Sequence, residues 1–233
     1  MFRVTLAAAG LALALPVGAM ASTLTLDFEG LPLTQGQQLT FTDFSTPEVT
    51  VSQGAYSGAM GDAGKDVTRN VGDGVLRYYD VDYVGLTDVA YVDPNASVGE
   101  FVFKPDAGYF VTLDSFKLSF FDDTDNPNSN FGSFPQTVDV EVFGVMGSSW
   151  TSLWKDTNVA LNDNTAPVTF EPNARSSSEL RLQWTLSGSG DIDAVGIDDI
   201  TFTAAVIPLP AGLPLLLGAL GVLGLLARRR QAA

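Results

Sequence analysis

Apolar and polar residues alternate with a period of two along most of the chain between Ser22 and Thr203. Leu24, Leu26 and Phe28 flank Thr25 and Asp27; Phe116, Leu118 and Phe120 flank Lys117 and Ser119. Val138, Val140 and Val142 repeat the pattern, as do Leu180, Leu182, Trp184 and Leu186. A period of two puts one set of side chains in a core and the other in water, the signature of half-buried antiparallel strands. Shorter runs at Phe101-Val102-Phe103, Tyr109 to Val111, Trp150 to Trp154 and Val168 to Phe170 add further strands. No stretch of the body sustains a 3.6-residue period for three turns. Turn-forming clusters such as "DDTDNPNSN" and "EPNARSSSE" separate the runs. The pattern predicts an all-β antiparallel sandwich of jelly-roll type. The Gly- and Asp-rich region from Gln53 to Gly74 is expected to form surface loops with at most one short strand.

The last strand breaks phase. Val195 and Ile197 are odd-numbered, Ile200 and Phe202 even-numbered. One sheet face accepts both sets only if an extra residue is inserted, so a β-bulge is expected at Asp198-Asp199.

The two ends follow other rules. Met1 to Ala21 has a short positive start, an apolar stretch and the small residues Ala19 and Ala21, the pattern of a secretory signal peptide cut before Ser22. The body is then residues 22–205, and 206–233 form a tail. Leu209 to Ala227 is uncharged and precedes Arg228, Arg229 and Arg230. As a helix it would extend about 28 Å at ~1.5 Å per residue, close to the ~30 Å hydrocarbon core of a bilayer. The arginines would stay on the cytoplasmic side, leaving the body outside. Pro208, Pro210 and Pro214 oppose helix at the membrane entry and keep that segment extended.

Ile207-Pro208-Leu209-Pro210-Ala211, the apolar helix and the arginine cluster together resemble the PEP-CTERM family of sorting tails, in its VPLPA-type variant. Ile207 stands where that variant is named for valine. The resemblance implies export through the inner membrane of a Gram-negative bacterium that makes extracellular polysaccharide. It also implies signal peptidase and an exosortase-type membrane protease as processing partners, and a final place at the cell surface or in the matrix.

Charge and composition narrow the chemistry. All 27 acidic residues fall in the body with 8 of the 12 basic ones, a net charge of −19 (8 − 27). Such a surface repels nucleic acid and favours cations. Cysteine and histidine are both absent. That excludes Ser-His-Asp and Cys-His nucleophilic sites, and zinc, copper or iron sites built on imidazole or thiolate. For a metal, oxygen-ligated calcium or magnesium remains, and for catalysis mainly a carboxylate pair or a Ser-Lys arrangement.

Asp27 and Glu29 on the polar face of the first strand, with Asp198 and Asp199 at the expected bulge, are candidate calcium ligands if first and last strands are neighbours. "LDFEG" and "GIDDITF" resemble that pairing in carbohydrate-binding-module-like jelly rolls, which implies a structural ion there. "DDTDNPNSN" fails the EF-hand pattern and reads as a solvated loop; Asp191 and Asp193 in "GDID" are ambiguous. Trp150 and Trp154 share a face in strict alternation, and Tyr78, Tyr79 and Tyr83 are interleaved with charges; these five are candidate sugar-stacking residues. Trp184, in phase with three leucines, is expected in the core. Three functions fit: a non-catalytic surface module that associates with exopolysaccharide in a biofilm, a calcium-crosslinked structural matrix protein, and a carboxylate-dependent glycosidase or lyase.

Overall fold

The computed structural model describes residues 21–29, 31–39, 46–61, 75–80, 83, 85–92, 96–121, 136–161, 166–187, 192, 195–208, 218–224 and 228. Their strands are β1 (Ser22–Leu26), β2 (Val49–Tyr56), β3 (Leu76–Tyr79), β4 (Val89–Val92), β5 (Val98–Pro105), β6 (Tyr109–Phe120), β7 (Gln136–Met146), β8 (Ser149–Leu161), β9 (Val168–Phe170), β10 (Ala174–Ser176), β11 (Glu179–Leu186) and β12 (Val195–Val206). They pair into two antiparallel sheets. One has the order β10-β6-β12-β4-β3, with β1 on β12 and β9 on β6; the other runs β2-β5-β11-β7-β8. The expected sandwich is present.

Inward residues of both sheets meet in one core. Phe101 stacks on Trp184 with ring centroids 5.8 Å apart, and Phe103 meets Phe202 at 5.1 Å. Phe28, Phe101, Phe103, Phe116, Phe202 and Trp184 are fully buried. Burying an aromatic or aliphatic side chain contributes roughly 1.5–3 kcal/mol, so a core of this kind supplies the stability that disulfides give smaller secreted domains.

The expected bulge in the last strand is also present. Asp198 pairs with Lys117 and Thr201 with Ser115, so β12 uses one residue more than β6 over this interval; β6 recovers it before Phe202 pairs with Leu113. Asp199 takes a positive φ of 50° to make the detour. At the same place β12 changes its other neighbour, from β4 at Ile197 to β1 at Ile200.

The region read as loops begins later than expected, because β2 continues through Tyr56; residues 62–74 lie outside the described residues. So do residues 1–20 with Ala19, the loop Asp122 to Asn130, Asp191, Asp193, residues 209–217 with Leu209, Pro210 and Ala211, and Arg229 and Arg230. Residues 218–224 are helical, with Leu220, Val222 and Leu223 exposed. Among the described residues no helix is long and apolar enough to cross a membrane.

Candidate functional site

On β11, Leu180, Leu182 and Trp184 point into the core, so Glu179, Arg181 and Gln183 stand on the outer face of the five-stranded sheet. Pairing brings Gln183 beside Glu100 of β5 and Glu141 of β7, and Arg181 beside Val102 and Phe143. These residues form one connected network. Gln183 Nε2 donates to Glu100 Oε2 at 2.7 Å, and Arg181 Nη1 donates to both Glu100 oxygens at 3.2 and 3.3 Å. Arg181 Nε donates to Glu179. Its guanidinium lies 4.7 Å from the centroid of the Trp150 ring, whose other ring neighbour is Phe143, edge-on at 5.4 Å. Beyond it, Lys155 pairs with Glu141 at 3.3 Å.

The Glu100 side chain is 1% exposed and that of Arg181 15%. Taking a carboxylate and a guanidinium out of water costs several kcal/mol per ion, and an apolar pair of similar shape is often at least as stable. Such a network holds donors and acceptors in fixed directions. Together, Trp150, Arg181, Glu179 and Glu100 combine an aromatic surface with oriented polar groups, the chemistry that takes a sugar's apolar ring face and its hydroxyls at once.

The five aromatic candidates from the sequence separate. Trp150 belongs to this site. Trp154 does not: Val142 pairs with Trp154 but Phe143 pairs with Ser152, so Leu153 is an extra residue. That bulge turns Trp154 to the other side of the sheet, where it packs edge-on against Phe116 at 6.4 Å and Phe170 at 6.0 Å. Tyr78 is buried in the core and donates to Asp88; burial and that bond push its hydroxyl well above the usual tyrosine range. Tyr83 is buried too, and Tyr79 is half-buried in a cluster of edge-on rings with Tyr83, Tyr91 and Phe121. These tyrosines pack the seven-stranded sheet and are not the open surface residues that the interleaved charges suggest.

The four candidate calcium ligands come to the same end of the sandwich, since β1 does pair with β12. Their side chains have other partners. Asp27 accepts the backbone N–H of Glu29 at 2.8 Å, Glu29 accepts from Thr87 at 3.1 Å, and Asp199 pairs with Lys117 at 2.6 Å. Asp198 is 4% exposed and its Oδ1 has no hydrogen-bond partner. Among the described residues no three carboxylates form a group able to hold a metal ion.

Glu100, Arg181, Gln183 and Phe143 were not singled out from the sequence. One local sign existed: "VGEFVF" places a carboxylate inside an otherwise apolar run. What joins the four is cross-strand register between distant strands, Glu100 to Gln183 across 83 positions and Phe143 to Arg181 across 38 (181 − 143), which no local pattern encodes.

No family model and no curated protein matches this chain. Among solved structures it is similar to a family-27 carbohydrate-binding module of Caldicellulosiruptor saccharolyticus in complex with mannohexaose, at 14% identity and a TM-score of 0.35, over 77% of this chain and 96% of that one. A family-32 module bound to GalNAc is similar at 13% identity and 0.28, over 68% and 98%. The K3 cleaved adhesin domain of Lys-gingipain from Porphyromonas gingivalis is similar at 11% and 0.31, over 79% and 99%. At such overlaps the architecture of this chain rests on its own strand pairing.

Proposed function

We propose that this protein is a non-catalytic module that binds polysaccharide on the outer face of its five-stranded sheet, outside the cell. The observation that supports this most is the Trp150–Arg181–Glu100–Gln183 network, in which an aromatic ring and buried, oriented polar groups share one face. A body carrying −19 (8 − 27) favours neutral or amine-bearing glycans over uronate polymers. Purified residues 22–205 are to be tested against neutral, amine-bearing and anionic polysaccharides by affinity electrophoresis. Retention by a neutral or amine-bearing glycan is expected, weakened at least about tenfold by Trp150→Ala, a loss near 1.4 kcal/mol. Equal retention of Trp150→Ala and the unchanged protein would remove this face from the reading.

We also propose that the tail sorts the protein. The motif starts where the fold stops: Val206 is the last residue paired with β6, Ile207 N–H donates to Gly108 O at 2.8 Å, and Ile207 and Pro208 are exposed. A membrane protease would find the first residues of the motif, Ile207 and Pro208, exposed at the end of the last strand. The mass of the native surface form should correspond to a chain that begins at Ser22 and ends near the motif. Pro208→Ala with Pro210→Ala should let helix extend into the motif and leave uncut protein in the inner membrane. A surface form still carrying Leu215 to Arg230 would make the tail a permanent anchor.

A further inference from the structure

The site's inner half is not open to solvent: Glu100 and Gln183 are fully buried although they face outward. The five residues after β2 account for part of that cover. Ser97 accepts the N–H of Gly58 through its hydroxyl at 2.9 Å and donates to the Gly58 carbonyl at 3.1 Å, fixing the segment over the start of β5. Met60 packs on Tyr56 of β2 and Val98 of β5. Gly61 N–H then donates to Gln183 Oε1 on β11 at 2.8 Å. A Cβ on Gly61 would lie 3.3 Å from Phe143 Cζ on β7. From Ser57 to Gly61 the chain thus crosses β5 and β11 and reaches β7, in the order the sheet sets them.

The contact with Gln183 is a backbone donor on a side-chain acceptor. The same acceptor is what a sugar hydroxyl would seek, because Gln183 Nε2 is already committed to Glu100. Strap, amide, carboxylate and guanidinium form one series that ends on the Trp150 ring. We propose that Ser57–Gly61 is an autoinhibitory strap: it occupies the Gln183–Glu100 half of the glycan face, and ligand entry there displaces Gly61 from Gln183. The binding-competent fraction is then less than one, and the apparent affinity falls in proportion. Loosening the strap raises it. This inference rests on the polysaccharide reading above.

Gly61 also carries the conformational demand of the strap. Its φ of +80° is unfavourable for residues with a side chain and closed to proline, which in addition lacks the donor. Met60→Ser removes the apolar anchor and keeps the backbone; Gly61→Pro removes the donor. Both variants and the unchanged protein are to be tested on β-1,4-mannan, β-1,4-galactan, cellulose oligosaccharides and partly deacetylated chitin oligosaccharides. Thermal melting confirms that each protein is folded. The expected result is binding about tenfold tighter, or detectable only in the variants, with faster amide exchange over 57–61 of the unchanged protein when glycan is bound. Folded variants that bind no better than the unchanged protein, or exchange over 57–61 that slows on binding, would make the strap a fixed wall and leave the polysaccharide reading standing. Should none of the three proteins bind any of these glycans, the polysaccharide reading falls and the strap proposal with it.

Discussion

Gly99→Ala should destabilise the protein by about 3 kcal/mol, at the upper end of what overpacking a core costs. Gly99 pairs with Trp184 across β5 and β11. A Cβ added there would lie 2.3 Å from Cζ2 and 2.4 Å from Cε2 of the indole. Real carbon contacts do not approach so closely, so the ring or the strand must move. The ring has little freedom, being fully buried and stacked on Phe101. Displacing β5 instead carries Glu100, the next residue, away from Arg181 and Gln183. For a domain of this size a loss of 3 kcal/mol lowers the melting temperature by about 6–12 °C. Combined with Trp184→Leu, the loss should be smaller than the sum of the two single losses, because a smaller side chain makes room for the methyl. Such non-additivity is the mark of direct contact. A melting temperature of Gly99→Ala within about 1 °C of the unchanged protein would mean that the backbone yields there without cost.

That coupling also shows how far the sequence could be read. The sandwich was legible because period-two alternation reports burial directly, and the strands from Leu24 onward carry it in their own residues. The bulge at Asp198-Asp199 was legible for the same reason, since an apolar phase cannot shift inside one strand without an inserted residue. The bulge at Leu153 in β8 left no such trace. β8 is an edge strand whose residues are mostly exposed, so its apolar positions do not mark one face, and strict alternation put Trp154 beside Trp150. The tyrosines misled in a related way. Charges interleaved with Tyr78, Tyr79 and Tyr83 suggested an open surface, yet Tyr79 and Tyr83 pack edge-on against each other and Tyr78 lies in the core. The outer face of the five-stranded sheet was half legible: Trp150 could be named, but Glu100 and Arg181 meet only after two strands pair. Asp27, Glu29, Asp198 and Asp199 were correctly brought to one end of the fold, while Lys117 and Thr87, which engage two of them, come from other strands and loops.

Asp198 supplies the largest expected dependence on solution conditions. Its carboxyl is buried where β12 exchanges β4 for β1, with Oδ1 unpartnered. Burial pushes its pKa from an ordinary 3.8 up to about 7; backbone N–H groups of Asp199 and Phe28 oppose the change, and the charges of Asp199 and Asp27 add to it. Lys117 is engaged with Asp199 and its own pKa is raised by that bond. The folded chain therefore holds a proton between about pH 4 and 7 that the unfolded chain has released. Stability from this group is complete below pH 3.8, falls as pH rises through that window and levels off above 7. The full excursion is on the order of 4 kcal/mol. Asp198→Asn is uncharged throughout, so the difference in melting temperature between variant and unchanged protein should grow in favour of the variant from pH 4 to 8. The comparison cancels the contribution of the other carboxylates. Calcium, expected at this end from the sequence, would act on the same group in the opposite sense, holding the carboxylate ionised. If it binds, millimolar calcium should flatten the pH dependence of the unchanged protein, a chelator should restore it, and Asp198→Asn should respond to neither. Parallel melting curves for the two proteins from pH 4 to 8, with and without calcium, would show that Asp198 titrates like any exposed carboxylate.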